Sequence, residues 1–287
     1  MRRGSKVTPP VAIIGGGSMG VSIAAVFVGH GISVVVVERD PERRGTLASR
    51  VTGAVRHGRL LGRLPERPSV GGLTVTGDFG DIAGVTTVVE AVTEILAEKH
   101  AVFDQARAIV VHDAIFVSCT SSFTIASLAG AMPDASTLIG VHFMNPAYLV
   151  DAVEVVRGPA TSLHTVERIT RLLGDIGRTP VFVGDGVGFV TSRLLHQMIN
   201  DAALIVQEGL ADAASVDTIM EAALGHPMGP LRTADLIGID NLVDSIRAQA
   251  AQDRTRFAGP CKLLRDMADS GELGRKSGRG FYEYQER

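Results

Sequence analysis

Residues 11–31 read VAIIGGGSMGVSIAAVFVGHG, and the fold turns on this stretch. Four apolar residues run into Gly15-x-Gly17-x-x-Gly20, and the glycines open a stretch of helical character over 18–29. A second apolar run, SVVVV (33–37), ends at Glu38. Strand, glycine loop, helix and strand with a terminal acid form the context that makes GxGxxG a dinucleotide-binding fingerprint. Gly15 permits the tight turn, Gly17 lets a pyrophosphate approach the backbone, and Gly20 lets helix pack on strand. Ser18 and Met19 stand at the helix start, where unpaired N–H groups favour phosphate. Glu38, roughly 20 residues on, suits the ribose hydroxyls. A carboxylate there repels a 2′-phosphate, so NAD is expected over NADP, with the adjacent Arg39 keeping NADP as a minority option.

Outward from that unit, short β-branched runs alternate with helical stretches. Strands are expected at 11–14, 33–37, 86–90, 115–119, 137–143, 153–156 and 180–183, with helices over 18–29, 41–61, 94–109 and 164–176 between several of them. Apolar strands separated by helices indicate a mainly parallel sheet covered on both faces. Beyond about residue 185 the strand runs stop, and 188–209, 214–224, 230–252 and 259–270 read as helices. The glycines of GDGVG (184–188) mark the change. The expectation is an α/β, doubly wound domain over 7–185 followed by an all-helical domain over 186–287.

The 287 residues are 45% hydrophobic, enough for two cores. Net charge is −3, from 28 basic and 31 acidic residues, which indicates neither a nucleic-acid nor a membrane surface. Lysines are few and arginines many, read here as compositional bias. Cys119 and Cys261 lie far apart without metal-ligand spacing, so no metal and no disulfide framework is expected. The start, MRRGSKVTPP, makes a poor signal peptide, and no apolar run reaches 18 residues. A cytoplasmic protein is the expectation.

One further stretch, GVHFMNPAYLVDAVEV (140–155), sets His142 and Glu154 inside apolar runs. Two buried polar groups cost free energy unless each satisfies the other. A carboxylate bonded to one ring nitrogen fixes the tautomer, and the opposite nitrogen becomes a base suited to alcohol oxidation.

The remaining motifs resemble the L-3-hydroxyacyl-CoA dehydrogenase family over nearly the whole chain. They are GGGSMG, EAVTEILAEK (90–99), SCTSS (118–122), GVHFMNP (140–146), VEVVRG (153–158), VGFVTSRLL (187–195), GHPMGPL (225–231) and GRKSGRGFYEY (274–284). The resemblance implies a Rossmann-like N-terminal domain, a helical domain that forms a homodimer, and NAD as cofactor. It implies that His142 is the catalytic histidine, Glu154 its orienting partner and Ser121 a contact to the reacting oxygen. It places Glu94, Lys99, Asn145 and Lys276 at the NAD site. Gly229 and Pro230 are read as shaping a helix start.

The chain also departs from the family pattern. Cys119 stands for asparagine in SNTSS, Val187 for proline, and Ser192 for the asparagine that helps bind the substrate oxygen. His196 and Gln197 follow one turn on, and His196 is expected to share a helix face with Ser192. Ala54 and Leu61 replace two residues that hold CoA in the family, although Arg56, Arg59, Arg63 and Arg67 are nearby cations. These departures motivate a small, polar acyl thioester carried by CoA or by an acyl carrier protein. A free hydroxy acid or sugar acid dehydrogenase and a non-catalytic NAD-binding protein are the alternatives.

Overall fold

In the computed structural model the described residues are 10–66, 71–130 and 132–284, so residues 7–9 of the expected first domain lie outside them. They form two compact units. One holds the residues up to 120 and 124–185, the other 121–123 and 186 onward. The first unit is an eight-stranded sheet of β1 (Val11–Ile14), β2 (Val34–Val37), β3 (Leu73–Thr76), β4 (Thr87–Glu90), β5 (Ile115–Ser118), β6 (Leu138–Phe143), β7 (Ala152–Val156) and β8 (Thr179–Val183). Their order is β3-β2-β1-β4-β5-β6-β7-β8. All neighbours are parallel except β6 and β7. Strand order reverses between β1 and β4, which opens a crevice beyond their carboxyl ends.

The residues explain the elements. Strands β1, β4 and β5 are buried throughout, as the interior strands of a sheet covered on both faces must be. Helix α1 (Ser18–Gly29) is buried along ten residues from Gly20 to Gly29, which accounts for its lack of a polar face. Helix α2 (Pro41–Leu60) buries only the stripe Leu47, Val51 and Val55 plus Gly58. Its start is set by Asp40, whose carboxylate accepts from the backbone N–H of Glu42 at 2.9 Å and of Arg43 at 3.3 Å, with Pro41 at the first position. Helices α3 (Leu96–Arg107), α4 (Ile125–Ala129) and α5 (Leu163–Asp175) complete this unit.

Two of its elements were not expected from the sequence. Strand β3 reads LTVT, half polar, because it is an edge strand with no fully buried residue. Helix α4 has only five residues. It is fixed by tertiary caps, Asp185 accepting from Ile125 N–H at 2.7 Å and Ala126 N–H at 2.8 Å. Helix α3 starts two residues later than expected, so Glu94 lies on the β4–α3 connection and not on a helix.

The second unit is helical, with α6 (Thr191–Gln207), α7 (Ala213–Leu224), α8 (Pro230–Ile237), α9 (Ile239–Gln252) and α10 (Lys262–Asp269). The single helix expected over 230–252 is two, because Gly238 adopts φ +97° and breaks the ladder. Gly229 and Pro230 do start a helix. The buried Asp217 completes that start, accepting from Leu231 and Arg232 N–H at 2.9 Å each and from the Tyr282 hydroxyl at 2.7 Å. Asp235 in turn pins the chain's last segment, accepting from Phe281 and Tyr282 N–H at 3.0 Å. Burial pushes the Asp235 carboxyl up, against the pull of those donors. Ser121–Phe123, expected with the sheet, group with this unit, where Gln252 Nε2 donates to Ser122 O at 2.8 Å. Among the described residues no helix is long and apolar enough to cross a membrane.

Candidate active site

The glycine loop leaves β1 at the strand reversal. Gly15 has φ +108°, and a Cβ there would sit 2.5 Å from Ala91 O, so only glycine lets the loop pass the segment after β4. A Cβ on Gly20 would strike Gly15 O. At Gly17 an added Cβ would meet nothing within 4 Å. That open backbone, followed by the α1 start at Ser18 and Met19 with no side-chain cap, is what a pyrophosphate requires. The residues present therefore fit a dinucleotide.

Glu38 stands at the end of β2 and is 5% exposed. Its Oε2 accepts from Gly16 N–H at 2.8 Å and its Oε1 from Asp40 N–H at 2.9 Å. The carboxylate thus braces the loop as well as supplying an acceptor beside it. Arg39 is turned to Glu98 at 3.0 Å, so the cation that kept NADP in consideration is already paired.

A more deeply buried cluster, only part of which was expected, lies beneath the crevice. Lys99 is 1% exposed and Glu90 fully buried. Lys99 Nζ donates to Glu90 Oε1 at 2.7 Å and lies 3.0 Å from Glu94 Oε2. Glu90 also accepts from Val92 N–H at 2.9 Å and Ser118 Oγ–H at 2.7 Å. The Thr120 hydroxyl donates to Glu94. Burial works to lower the Lys99 pKa, but Glu90 and Glu94 together outweigh it and raise it well above the usual lysine range. Sequence reasoning named Glu94 and Lys99 and missed Glu90. An acid closing a strand run was the available signal, as at Glu38.

On β6 and β7 the register sets His142 directly opposite Glu154. Facing residues of an antiparallel pair point to one side of the sheet. The two are 7% and 6% exposed, and His142 Nδ1–H donates to Glu154 Oε2 at 2.6 Å. Their neighbours Ile139, Val141, Phe143, Val153 and Val155 point to the opposite side, into the core with α1 and α5. The alternation of the strand puts the polar pair on one face and oil on the other. Asn145 follows β6 by two residues, on the connection to β7.

The other named residues lie in the second unit. Ser121 Oγ is 3.4 Å from Ser122 Oγ. Ser192 and His196 share the inner face of α6, at 4% and 6% exposure, as the i, i+4 spacing implied. Gln249 Nε2 donates to His196 Nδ1 at 3.0 Å, from a side chain 1% exposed. Lys276 is half-exposed and bonded to both oxygens of Asp240 at 2.5 Å. Of the arginines near the CoA-holding positions, Arg59 donates to Pro65 O and Arg63 pairs with Asp151, and Arg67 lies outside the described residues.

Residues 10–186 match the family model of the 3-hydroxyacyl-CoA dehydrogenase NAD binding domain, and residues 188–284 that of its C-terminal domain. A probable 3-hydroxybutyryl-CoA dehydrogenase of Deinococcus radiodurans is 39% identical over 281 residues, covering 95% of this chain and 99% of that one. The crystal structure of FadB2 from Mycobacterium tuberculosis superposes with a TM-score of 0.89 at 32% identity, over 97% of this chain and 99% of that one. That of (S)-3-hydroxybutyryl-CoA dehydrogenase from Ralstonia eutropha gives 0.83, also at 32% identity, over 97% and 100%. With both halves matched in order and relatives aligned nearly end to end, the chain belongs to the 3-hydroxyacyl-CoA dehydrogenase family of oxidoreductases, and its cofactor is NAD.

Proposed function

We propose that the chain interconverts a short 3-hydroxyacyl thioester and its 3-oxoacyl form. The observation that carries the reading is the 2.6 Å bond between His142 Nδ1 and Glu154 Oε2. With Nδ1 protonated and donating, Nε2 holds the lone pair and takes the proton from the substrate hydroxyl. NAD, when bound, would supply the hydride acceptor. Glu154 balances the imidazolium as it forms. The loop Gly15–Gly20 and the α1 start hold the pyrophosphate, Glu38 the ribose, and Glu94, Asn145 and Lys276 further parts of the cofactor. Ser121 and Ser192 serve the reacting oxygen.

The acyl group in this reading is small and polar, on CoA or an acyl carrier protein. Its support is the set of departures at Cys119, Val187, Ser192, His196 and Gln197, of which Ser192 and His196 are buried polar groups. The test compares steady-state oxidation of 3-hydroxybutyryl-CoA with that of hydroxyacyl groups on CoA and on a carrier protein. Carrier-bound or hydroxylated acyl groups are expected to give the higher kcat/KM. Rapid turnover of the simple CoA ester alone removes the polar-acyl reading. Turnover of free hydroxy acids alone removes the thioester.

The same proposal makes the chain a homodimer through its helical unit, which exposes Leu194, Leu210, Ile219 and Leu224 at 59–72%. Light scattering is expected to give twice the chain mass, and a monomer at micromolar concentration contradicts it.

A further inference from the structure

We propose that Ile125, seated over Gly140 and Gly158 and pinned by Asp185, is a positioning residue that sets the reach of Ser121 to the reacting oxygen. This rests on the dehydrogenase reading, in which Ser121 serves that oxygen, and goes beyond it in naming what holds the serine.

Gly140 lies inside β6, a strand buried throughout. Glycine weakens a strand interior, and close approach by another group is a usual reason for finding it there. Here the group is Ile125. A Cβ on Gly140 would sit 2.7 Å from Ile125 Cδ1 and 3.0 Å from its Cγ1. A Cβ on Gly158, just after β7, would sit 2.8 Å from Ile125 Cγ2. Two missing side chains thus make one socket, and Ile125 fills it at 1% exposure. The socket walls are tied together. Gly158 N–H donates to Thr161 Oγ1 at 2.9 Å, and the Thr161 hydroxyl donates to Leu138 O, at the start of β6, at 2.7 Å.

The socket lies on the face that carries the histidine. Gly140 and His142 are two apart on β6, so a Cβ on Gly140 would point to the same side as His142. Ile125 therefore covers the Gly140–Val156 pair, the next on that face after His142–Glu154 and about 7 Å along the strand. Ile125 is also the first residue of α4, and Asp185 takes the N–H groups of Ile125 and Ala126 at 2.7 and 2.8 Å. A side chain in a socket and a carboxylate on two adjacent amides leave the start of α4 no room to slide or turn. Five residues of helix could not hold that position alone. Ser121 is four residues back. Its segment leaves from Thr120, whose N–H donates to Ser118 Oγ on β5 at 3.3 Å. Ser121–Phe123 group with the helices, but the residues on either side, Thr120 and Thr124, belong to the sheet unit. A segment this short, held at both ends, passes a displacement of either end to the residues within it.

The test uses the full chain with Gly140→Ala, Gly140→Ala plus Ile125→Val, Asp185→Asn and Ser121→Ala, and with Gly140→Ala and Asp185→Asn each repeated in the Ser121→Ala background. The readouts are Tm, NADH affinity by fluorescence titration, and kcat with 3-hydroxybutyryl-CoA or a hydroxyacyl carrier protein, whichever the wild type turns over faster. Gly140→Ala pushes on Ile125 and is expected to lower kcat about tenfold by misplacing the serine, with NADH affinity unchanged. Ile125→Val removes the Cδ1 atom in the way, so the double variant is expected to regain most of that loss. Asp185→Asn turns an NH₂ group on one of the two amides and is expected to lose kcat similarly. Ser121→Ala is expected to lower kcat about tenfold or more, as the loss of a hydrogen bond to the reacting oxygen should. In that background neither Gly140→Ala nor Asp185→Asn is expected to cost more than about twofold further, because both act through the missing hydroxyl. Losses that multiply in full overturn the proposal. So does a Gly140→Ala chain that loses Tm but keeps wild-type kcat, because the socket is then only packing. If Gly140→Ala does not fold, Asp185→Asn decides by the same comparison. If Ser121→Ala keeps wild-type kcat, the role of the serine falls and this proposal with it, while His142 and Glu154 stand. A wild type inert on every hydroxyacyl substrate removes the dehydrogenase reading itself, and this proposal with it.

Discussion

His142→Gln is expected to lower kcat by about 10²–10⁴-fold while NADH affinity stays within a few fold of wild type. The magnitude is that of general acid–base help, about 3–5 kcal/mol of barrier. Glutamine fills a similar volume and can still bond to Glu154, but its amide takes no proton at working pH. The hydroxyl must then lose its proton to water while the hydride leaves. The glycine loop and Glu38 are untouched, so cofactor titration should not register the change. A variant within tenfold of wild-type kcat would falsify His142 as the base. A wild type that is itself inert across hydroxyacyl substrates, yet binds NADH, would favour a binding protein.

Glu154→Gln comes second, with kcat expected to fall about 10²-fold or more. The amide oxygen can accept from Nδ1–H, so geometry largely survives, but the negative charge facing the forming imidazolium is gone. An amide can also turn its NH₂ to the ring and impose the wrong tautomer. Glu154→Ala should cost stability too, by about 1–3 kcal/mol, because it removes the acceptor of a buried ring N–H. The informative contrast is that Gln should hold Tm better than Ala while both lose turnover. If Glu154→Gln keeps wild-type kcat, the carboxylate is a structural partner of His142 and no part of the proton transfer.

The legible parts of this chain are those where a local rule and the global fold require the same residue. The run from Val11 to Glu38 was readable because a buried parallel strand is continuously apolar and a phosphate loop needs glycine at set spacing. His142 and Glu154 stood out because polar residues in apolar strands demand a partner. β3 was missed because an edge strand need not be apolar, and α4 because five residues capped from Asp185 carry no period of their own. The break at Gly238 was missed because one glycine in a helical pattern is usually tolerated. Glu90 was passed over because an acid at a strand end reads as exposed, whereas Lys99 was placed at the cofactor by the family resemblance.

The sequence by itself determined a dinucleotide-binding α/β sheet followed by helices, and a histidine that needs an acid. Periodicity and spacing are properties of neighbours along the chain, and they suffice for that. Only the tertiary structure decided that His142 faces Glu154, because strand register is set by packing across 12 residues. It likewise decided that Lys99 lies under the crevice with Glu90, since which cation meets which anion depends on how β4, β5 and α3 close on one another. Burial and pairing are relations in space, and the sequence constrains them only through the fold they share.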